Sequence, residues 1–421
     1  MKFSFIHTGD IHLGRPFSDL SEINPKTDIC NNAGRLAFNK IIELALLKNV
    51  DFVLISGDSF DNDEHDLSAK LCFLNGLKRL AENGIKSYII CGNHDPIEMY
   101  KNNLSYYKND GVINIVGVNE DINCKTFREN RYNIHALSFP TEELDNPVNY
   151  LPKLTKDDEK VFNIGLIHCD LDKTDSKYSP VSREELRTLG YDYYALGHIH
   201  IPEIKEEKMV YCGTPQARTK KETGAHGCYY AQVENKSIIN LEFIPTDVVR
   251  FEKIGIDCCE SENKLEVFEK ISNTVNNKSS EVELTLYDIT LKGVSRAYTE
   301  LLKTDSLIKE YSENFGETDD KNVCVFRINN ETKPFVNEKE LLKDSGVIGI
   351  LAQAINNNNE INIDNIYNNI SKLHEDLYKK LGIDTESKEL LSDSLKVDKA
   401  EILENVKNEL KSVCAEIYGD M

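Results

Sequence analysis

Five short motifs follow one another in fixed order along the first half of the chain: Asp10-Ile-His12, Gly57-Asp58-Ser-Phe-Asp61, Gly92-Asn93-His94-Asp95, Ile167-His168-Cys169 and Gly197-His198-Ile-His200. Each ends an apolar run rich in β-branched residues. Each is therefore expected where a strand gives way to a loop, the place where an α/β scaffold brings distant side chains to one sheet edge. All five supply oxygen or imidazole donors of the kind that hold divalent cations. Singly, an Asp-x-His or Gly-x-His-x-His is usually only a turn. Five in order, each behind a strand-like run, restrict the fold to one that gathers them at a common site.

The pattern divides the chain into three parts: 1–247, 248–334 and 335–421. The first reads as alternating strands and helices, a layered α/β domain. Strands are expected at 3–7, 51–56, 86–91, 112–118, 132–137, 161–168, 191–196, 209–212, 227–233 and 237–244, with helices at 34–49 and 66–83. The second helix places Leu67, Leu71, Leu74, Leu77 and Leu80 on one face and stops at Gly84, a left-handed cap. Ser182, with Glu184 and Glu185 behind it, caps a further short helix. The second part is an α+β cap with strands at 250–256, 281–292 and 322–328 and helices at 264–276 and 297–304. The third is helical and polar, with an Asn356 to Asn359 loop. Its apolar stripes are Ile366, Ile370, Leu373, Leu377 and Leu381, then Leu403, Val406, Leu410, Val413 and Ile417. Such stripes pack on their own domain or on a partner.

Composition narrows the functional classes. With 421 residues, 40% hydrophobic and 29% charged, the chain has ample material for two or three domains. Neither a signal peptide nor a run of membrane-spanning length is read in it, so a cytoplasmic protein is expected. Its eleven cysteines are scattered without a Cys-x-x-Cys and read as reduced core thiols, with Cys258 and Cys259 on opposite strand faces. A net charge of −21 argues against tight unaided DNA binding and leaves a local basic face or a partner that carries the substrate.

Metal-assisted attack on phosphate needs carboxylates, a bridging ligand and imidazoles. Asp10 and His12 can bend into one site, Asp58 is the natural bridge, Asn93 offers a neutral oxygen, and His168, His198 and His200 offer ring nitrogens. Two cations there would lower the pKa of a bound water. His94 can protonate the departing alkoxide or stabilise phosphorane charge, with Asp95 as its acceptor.

These motifs resemble the calcineurin-like metallophosphoesterase superfamily, whose pattern is D-x-H, G-D-x-x-[DH], G-N-H-[DE], a lone His and G-H-x-H. The segments from Phe5 to Gly14, Phe52 to Asp58, Tyr193 to His200 and Tyr211 to Gln216 are similar to its DNA repair exonuclease branch, the SbcD-type nucleases. The resemblance implies a four-layer α-β-β-α sandwich followed by a small cap and a helical C-terminal region. It implies two divalent ions, manganese as the usual one. Asp10, His12, Asp58 and His200 would bind one, Asp58, Asn93, His168 and His198 the other, and His94 would act on the leaving group. It further implies cleavage of DNA ends, pairing of two copies and an SMC-like coiled-coil ATPase on the C-terminal helices. The chain departs at Asp61, where some members carry a second catalytic histidine; His65 nearby reads as solvated. A nucleotide phosphodiesterase or phosphatase of the same fold, or a non-catalytic interaction subunit stabilised by metal, are the competing readings.

Arg218, Lys220 and Lys221 follow closely enough to meet a phosphate backbone, although a solvated loop fits them as well. Tyr106-Tyr107 and Tyr193-Tyr194 fit packing better than base stacking. His7 and His135 read as structural, while His226 and His374 lack metal-binding company.

Overall fold

A computed structural model describes residues 2–17, 27–61, 66–99, 111–118, 123–156, 158–315, 322–335 and 399–419, with isolated positions between 342 and 368. The chain forms two compact units, one of residues 1–253, 279–288 and 319–326, the other of 254–278, 289–318 and 327–421.

The first unit is built on two six-stranded sheets. One has the order β12-β11-β1-β2-β3-β4, with β1 Lys2–Thr8, β2 Phe52–Ser56, β3 Lys86–Ile90 and β4 Ile113–Ile115 parallel, and β11 Gly227–Glu234 and β12 Ser237–Pro245 antiparallel. The other has the order β5-β6-β7-β8-β10-β9, where β5 is Cys124–Arg128, β6 Tyr132–Leu137, β7 Phe162–His168, β8 Tyr193–Gly197, β9 Glu203–Glu206 and β10 Met209–Tyr211. The central strands β2, β6, β7 and β8 are buried along their whole length, as parallel strands covered on both faces must be. Phe3, Phe5, Phe52, Leu54, Tyr132, Phe162 and Ile164 fill the space between the sheets. There Phe5 stacks on Phe52 at 5.1 Å and Phe52 lies 4.3 Å from Tyr132. Helices α1 (Thr27–Lys48) and α2 (Leu67–Glu82) cover the outside of the first sheet, and α3 (Arg183–Arg187) with its loops covers the second. The layered α/β sandwich expected from the sequence is present.

Local signals account for several helix ends. Ser182 and Glu185 form a reciprocal capping box on α3. Asp66 caps α2 by accepting from Ala69 N at 3.0 Å, and Gly84 takes φ +73° just past its end. The buried face of α2 differs from the leucine stripe: Ala69, Phe73, Gly76, Leu77 and Leu80 are buried, whereas Leu67 and Leu71 are 66% and 49% exposed. Gly76 explains this. A Cβ there would lie 2.6 Å from the Phe38 ring, so the two helices approach through Gly76 and the seam follows it. Edge strands β5 and β9 were not foreseen, because CKTFR and EIKE are short, charged edge sequences. Helix α1 begins at Thr27, ahead of Gly34.

In the second unit α4 (Lys264–Asn276) and α6 (Leu307–Phe315) pack through Phe268, Tyr311 and Phe315; α5 is Tyr298–Leu302. Helix α6 was unforeseen. Helix α7 (Lys399–Gly419) buries Ile402, leaves Leu403, Val406 and Leu410 half-buried and exposes Val413. The stripe from Ile366 to Leu381, the Asn356 to Asn359 run, His65, Tyr106-Tyr107 and His374 lie outside the described residues. Cys258 is buried and Cys259 exposed. Among the described residues no helix is long and apolar enough to cross a membrane.

Candidate metal centre

The loops leaving β1, β2, β3, β7 and β8 meet at one end of the sandwich. Past the strand ends β1 and β2 stay paired: Asp10 N donates to Gly57 O at 3.0 Å, His12 N to Asp58 O at 2.9 Å and Leu13 N to Ser59 O at 2.9 Å. Cys169 N donates to Gly197 O at 3.2 Å, tying the β7 and β8 loops likewise. Gly197 is required by its surroundings, since a Cβ would sit 2.1 Å from Ser56 O and 2.9 Å from His168 Nδ1.

The side chains these loops present bring oxygen and imidazole atoms close together. His168 donates its Nδ1 hydrogen to Ser56 O at 2.9 Å, so Nε2 is a lone pair. That lone pair lies 2.9 Å from Asn93 Oδ1 and 3.4 Å from Asp58 Oδ2, and His198 Nδ1 lies 3.2 Å from the same Asn93 oxygen. On the other side His12 Nε2 and His200 Nε2 are 3.2 Å apart, with Asp58 Oδ2 3.7 Å from His12. Donor atoms of Asp10, His12 and His200 fall within 4.8 Å of one another, as do those of Asp10, Asp58 and His168. Burial and then the charge of Asp58 push the Asp10 carboxyl well above its usual range, while burial lowers His12 and His168 to about 4. Neutral imidazoles around buried, uncompensated carboxylates are what a cation requires. The residues fit divalent ions.

Two carboxylates that sequence reasoning missed hold the outer ring nitrogens. Glu222 Oε1 lies 2.6 Å from His200 Nδ1, and Asp170 Oδ2 lies 3.3 Å from His198 Nε2. Burial works to raise Glu222, but the His200 bond and the backbone donors outweigh it and bring the carboxyl to about 2. The acceptor for His94 is Asp61: its Oδ1 is 2.9 Å from His94 Nδ1 and 3.6 Å from His12 Nδ1, and its Oδ2 is 3.4 Å from Arg15 Nε. The His12 and His94 imidazoles hold Asp61 well below the usual carboxylate range, and Asp61 raises His94. Asp95 therefore does not orient His94. Fully buried, it accepts from Gly92 N (2.8 Å), Asp58 N (3.1 Å), Ser59 N (2.6 Å) and Phe60 N (3.2 Å), locking the two ligand loops together.

Arg218 is likewise turned inward. Its guanidinium donates to Ile11 O at 3.1 Å and to Arg15 O, and burial lowers it to about 10. It braces the Asp10 to His12 loop and is not placed to meet phosphate. Lys220 is half-buried and Lys221 exposed. Tyr193 and Tyr194 are buried. The exposed tyrosine at the site is Tyr178, its ring 5.4 Å from that of His198. His7 is buried against Tyr193 and Ser56, His135 is stacked on Tyr191, and His226 faces Thr214 O.

Comparisons with known proteins agree with this geometry. The chain is 28% identical over 341 residues to a Bacillus subtilis (strain 168) protein called uncharacterized metallophosphoesterase YhaO, covering 78% of this chain and 82% of that one. It is 26% identical over 270 residues to the DNA double-strand break repair protein Mre11 of Methanocaldococcus jannaschii, covering 61% and 67%. For the Mre11 of Methanopyrus kandleri the identity is 25% over 266 residues, covering 57% and 56%. Residues 3–202 match the calcineurin-like phosphoesterase family.

Proposed function

We propose that the chain is a two-metal DNA nuclease. Asp10, His12, Asp58 and His200 would hold one divalent cation, manganese by choice, and Asp58, Asn93, His168 and His198 the second. The observation that carries the proposal is the meeting of His168 Nε2, Asn93 Oδ1, His198 Nδ1 and Asp58 Oδ2 at 2.9–3.4 Å, oxygen and imidazole atoms of the kind that bind a divalent cation. When bound, the cations offset phosphate charge and supply an activated water.

The chain's own residues supply orientation and a proton. Asp58 belongs to both donor sets, and its Oδ1 accepts from His94 N at 2.9 Å, which fixes the His94 backbone beside the proposed bridging ligand. With Nδ1 on Asp61, His94 has Nε2 left to give a proton to the departing alkoxide. Relatives named as DNA double-strand break repair proteins support DNA as substrate. Residues 1–247 would form the nuclease, 248–334 a cap, and 335–421 the docking region for an SMC-like ATPase; pairing of two copies belongs to the same reading. A partner that carries DNA also accommodates the net charge of −21.

The test is cleavage of single-stranded and duplex DNA in manganese, with bound metal measured, by the native chain, Asp58→Asn and His94→Ala. Native cutting, loss of metal and cutting in Asp58→Asn, and retained metal with roughly 10²- to 10⁴-fold slower cutting in His94→Ala are expected. A native chain that binds two ions and hydrolyses a small diester while leaving every DNA intact would refute the nuclease assignment.

A further inference from the structure

We infer that Glu222 is a positioning residue that makes the His12–His200 cation site the tighter of the two, while Asp170 leaves the His168–His198 site weaker and exchangeable. The inference rests on the two-metal reading above. A histidine that binds a cation through one nitrogen keeps its hydrogen on the other. A carboxylate accepting that hydrogen fixes the ring and strengthens the donor.

The two outer carboxylates are not equivalent. Glu222 gives Oε1 to His200 Nδ1 at 2.6 Å, and its Oε2 is held by Arg218 N at 2.7 Å and Thr219 N at 3.1 Å, with Glu222 N returned to Thr219 O at 3.0 Å. The turn closes on itself, the side chain is 13% exposed, and His200 is its ion-pair partner. Asp170 divides its charge: Oδ2 serves His198 Nε2 at 3.3 Å and Ser176 Oγ at 2.5 Å, and Oδ1 faces Lys173 Nζ at 2.9 Å. Asp170 is thus shared among His198, Ser176 and Lys173, and its contact with the ring is the longer of the two, 3.3 Å against 2.6 Å.

The turn that carries Glu222 also holds the second histidine of the same site. Its Arg218 side chain donates to Ile11 O, the carbonyl just before His12, and to Arg15 O, three residues beyond it. Gly34 makes room for it, since a Cβ there would fall 2.3 Å from Arg218 Nη2. One five-residue turn thus fixes the His200 ring directly and braces the backbone that carries His12, the two histidines of one cation.

The test is manganese titration of the full chain, stripped of metal, by calorimetry and by the spin-resonance signal of the free ion. The native chain is expected to bind two ions with constants at least tenfold apart. Glu222→Gln should weaken the tighter constant about 10- to 100-fold and leave the other unchanged, Glu222→Asp should restore part of the loss, and Asp170→Asn should change only the weaker one. Urea melts in chelator report whether each variant is folded, and Glu222→Asp carries the test if Glu222→Gln is not. Two ions bound natively with constants that neither Glu222 variant moves, or that both variants move equally, overturn this inference and leave the two-metal reading standing. No manganese bound by the native chain overturns both.

Discussion

Replacing Asp61 by Asn tests whether this carboxylate acts through His94. The perturbation removes the charge from the 2.9 Å contact with His94 Nδ1 and keeps the shape. A hydrogen bond to a charged group contributes about 1.5–3 kcal/mol. With side chains 25% and 38% exposed, water screens this pair, and roughly 1–2 kcal/mol is the range to expect. At about 1.4 kcal/mol per factor of ten, kcat on DNA should fall about 5- to 30-fold, with KM little changed. The leaving group separates proton donation from everything else the site does. A DNA alkoxide needs the proton, whereas a nitrophenolate departs without it, so the loss should largely vanish on a nitrophenyl phosphodiester. Asp61→Asn placed on His94→Ala should then cost little more than His94→Ala alone, apart from what passes through His12 at 3.6 Å. Equal losses on both substrates, or full additivity in the double variant, would refute the Asp61 to His94 linkage.

His7 makes the fold acid-sensitive. Its ordinary value of 6.5 is lowered by burial to about 3, so the folded state favours the neutral ring. That contribution is complete above the unfolded value and is lost as pH falls toward the folded one, costing about 2 kcal/mol between pH 7 and pH 5. Urea melts in chelator should show native stability falling about that much more than His7→Gln over this interval; parallel falls would disprove it. Tyr178→Ala should raise KM for DNA by the roughly 1–3 kcal/mol of one base stack and leave the nitrophenyl diester untouched, with Tyr178→Phe near native. A loss on both substrates would instead make Tyr178 a support for His198. Asp10→Asn should abolish manganese binding yet raise the melting temperature of the metal-free chain, because it removes a buried carboxylate that has no counter-charge without cations. A lower metal-free melting temperature would show that Asp10 serves the fold.

The donors of the site were legible because their chemistry forces a residue type at a strand end, and seven such residues converge here. What the chain does not announce is which neighbour steadies which donor. Asp95 follows His94 directly, yet it turns to four backbone N–H groups, and the carboxylate that meets the ring comes from Asp61 on another loop. Adjacent residues in a tight turn point different ways, so sequence proximity misassigned the pair. Asp170, two residues beyond His168, carried a faint signal in its spacing. Glu222 carried none, since an acid after Lys220 and Lys221 reads as surface charge. Arg218 was misread for the same reason. Packing misled in a similar way on α2, where Leu77 and Leu80 of the leucine stripe are buried but Leu67 and Leu71 are exposed, and Gly76 set the seam.

The backbone of the site points to preorganisation. Asp10, His12, Asp58 and His198 take φ of 47°, 44°, 48° and 102°, a region where each side chain other than glycine costs of order 1 kcal/mol or more. Four strained residues among the candidate ligands would open the loops unless something over-determined them. The four N–H groups on Asp95, the bonds from Asp10 to Gly57 and from His12 to Asp58, and the Arg218 brace do so through protein groups alone. Conformational cost is therefore met on folding, and binding of ions need not order the loops. The binding energy a cation brings is then available to hold phosphate charge rather than to build the site. By this reasoning the invariant demand on such a chain falls as heavily on Asp95, Gly197 and Arg218, which touch no substrate, as on the donors they hold in place.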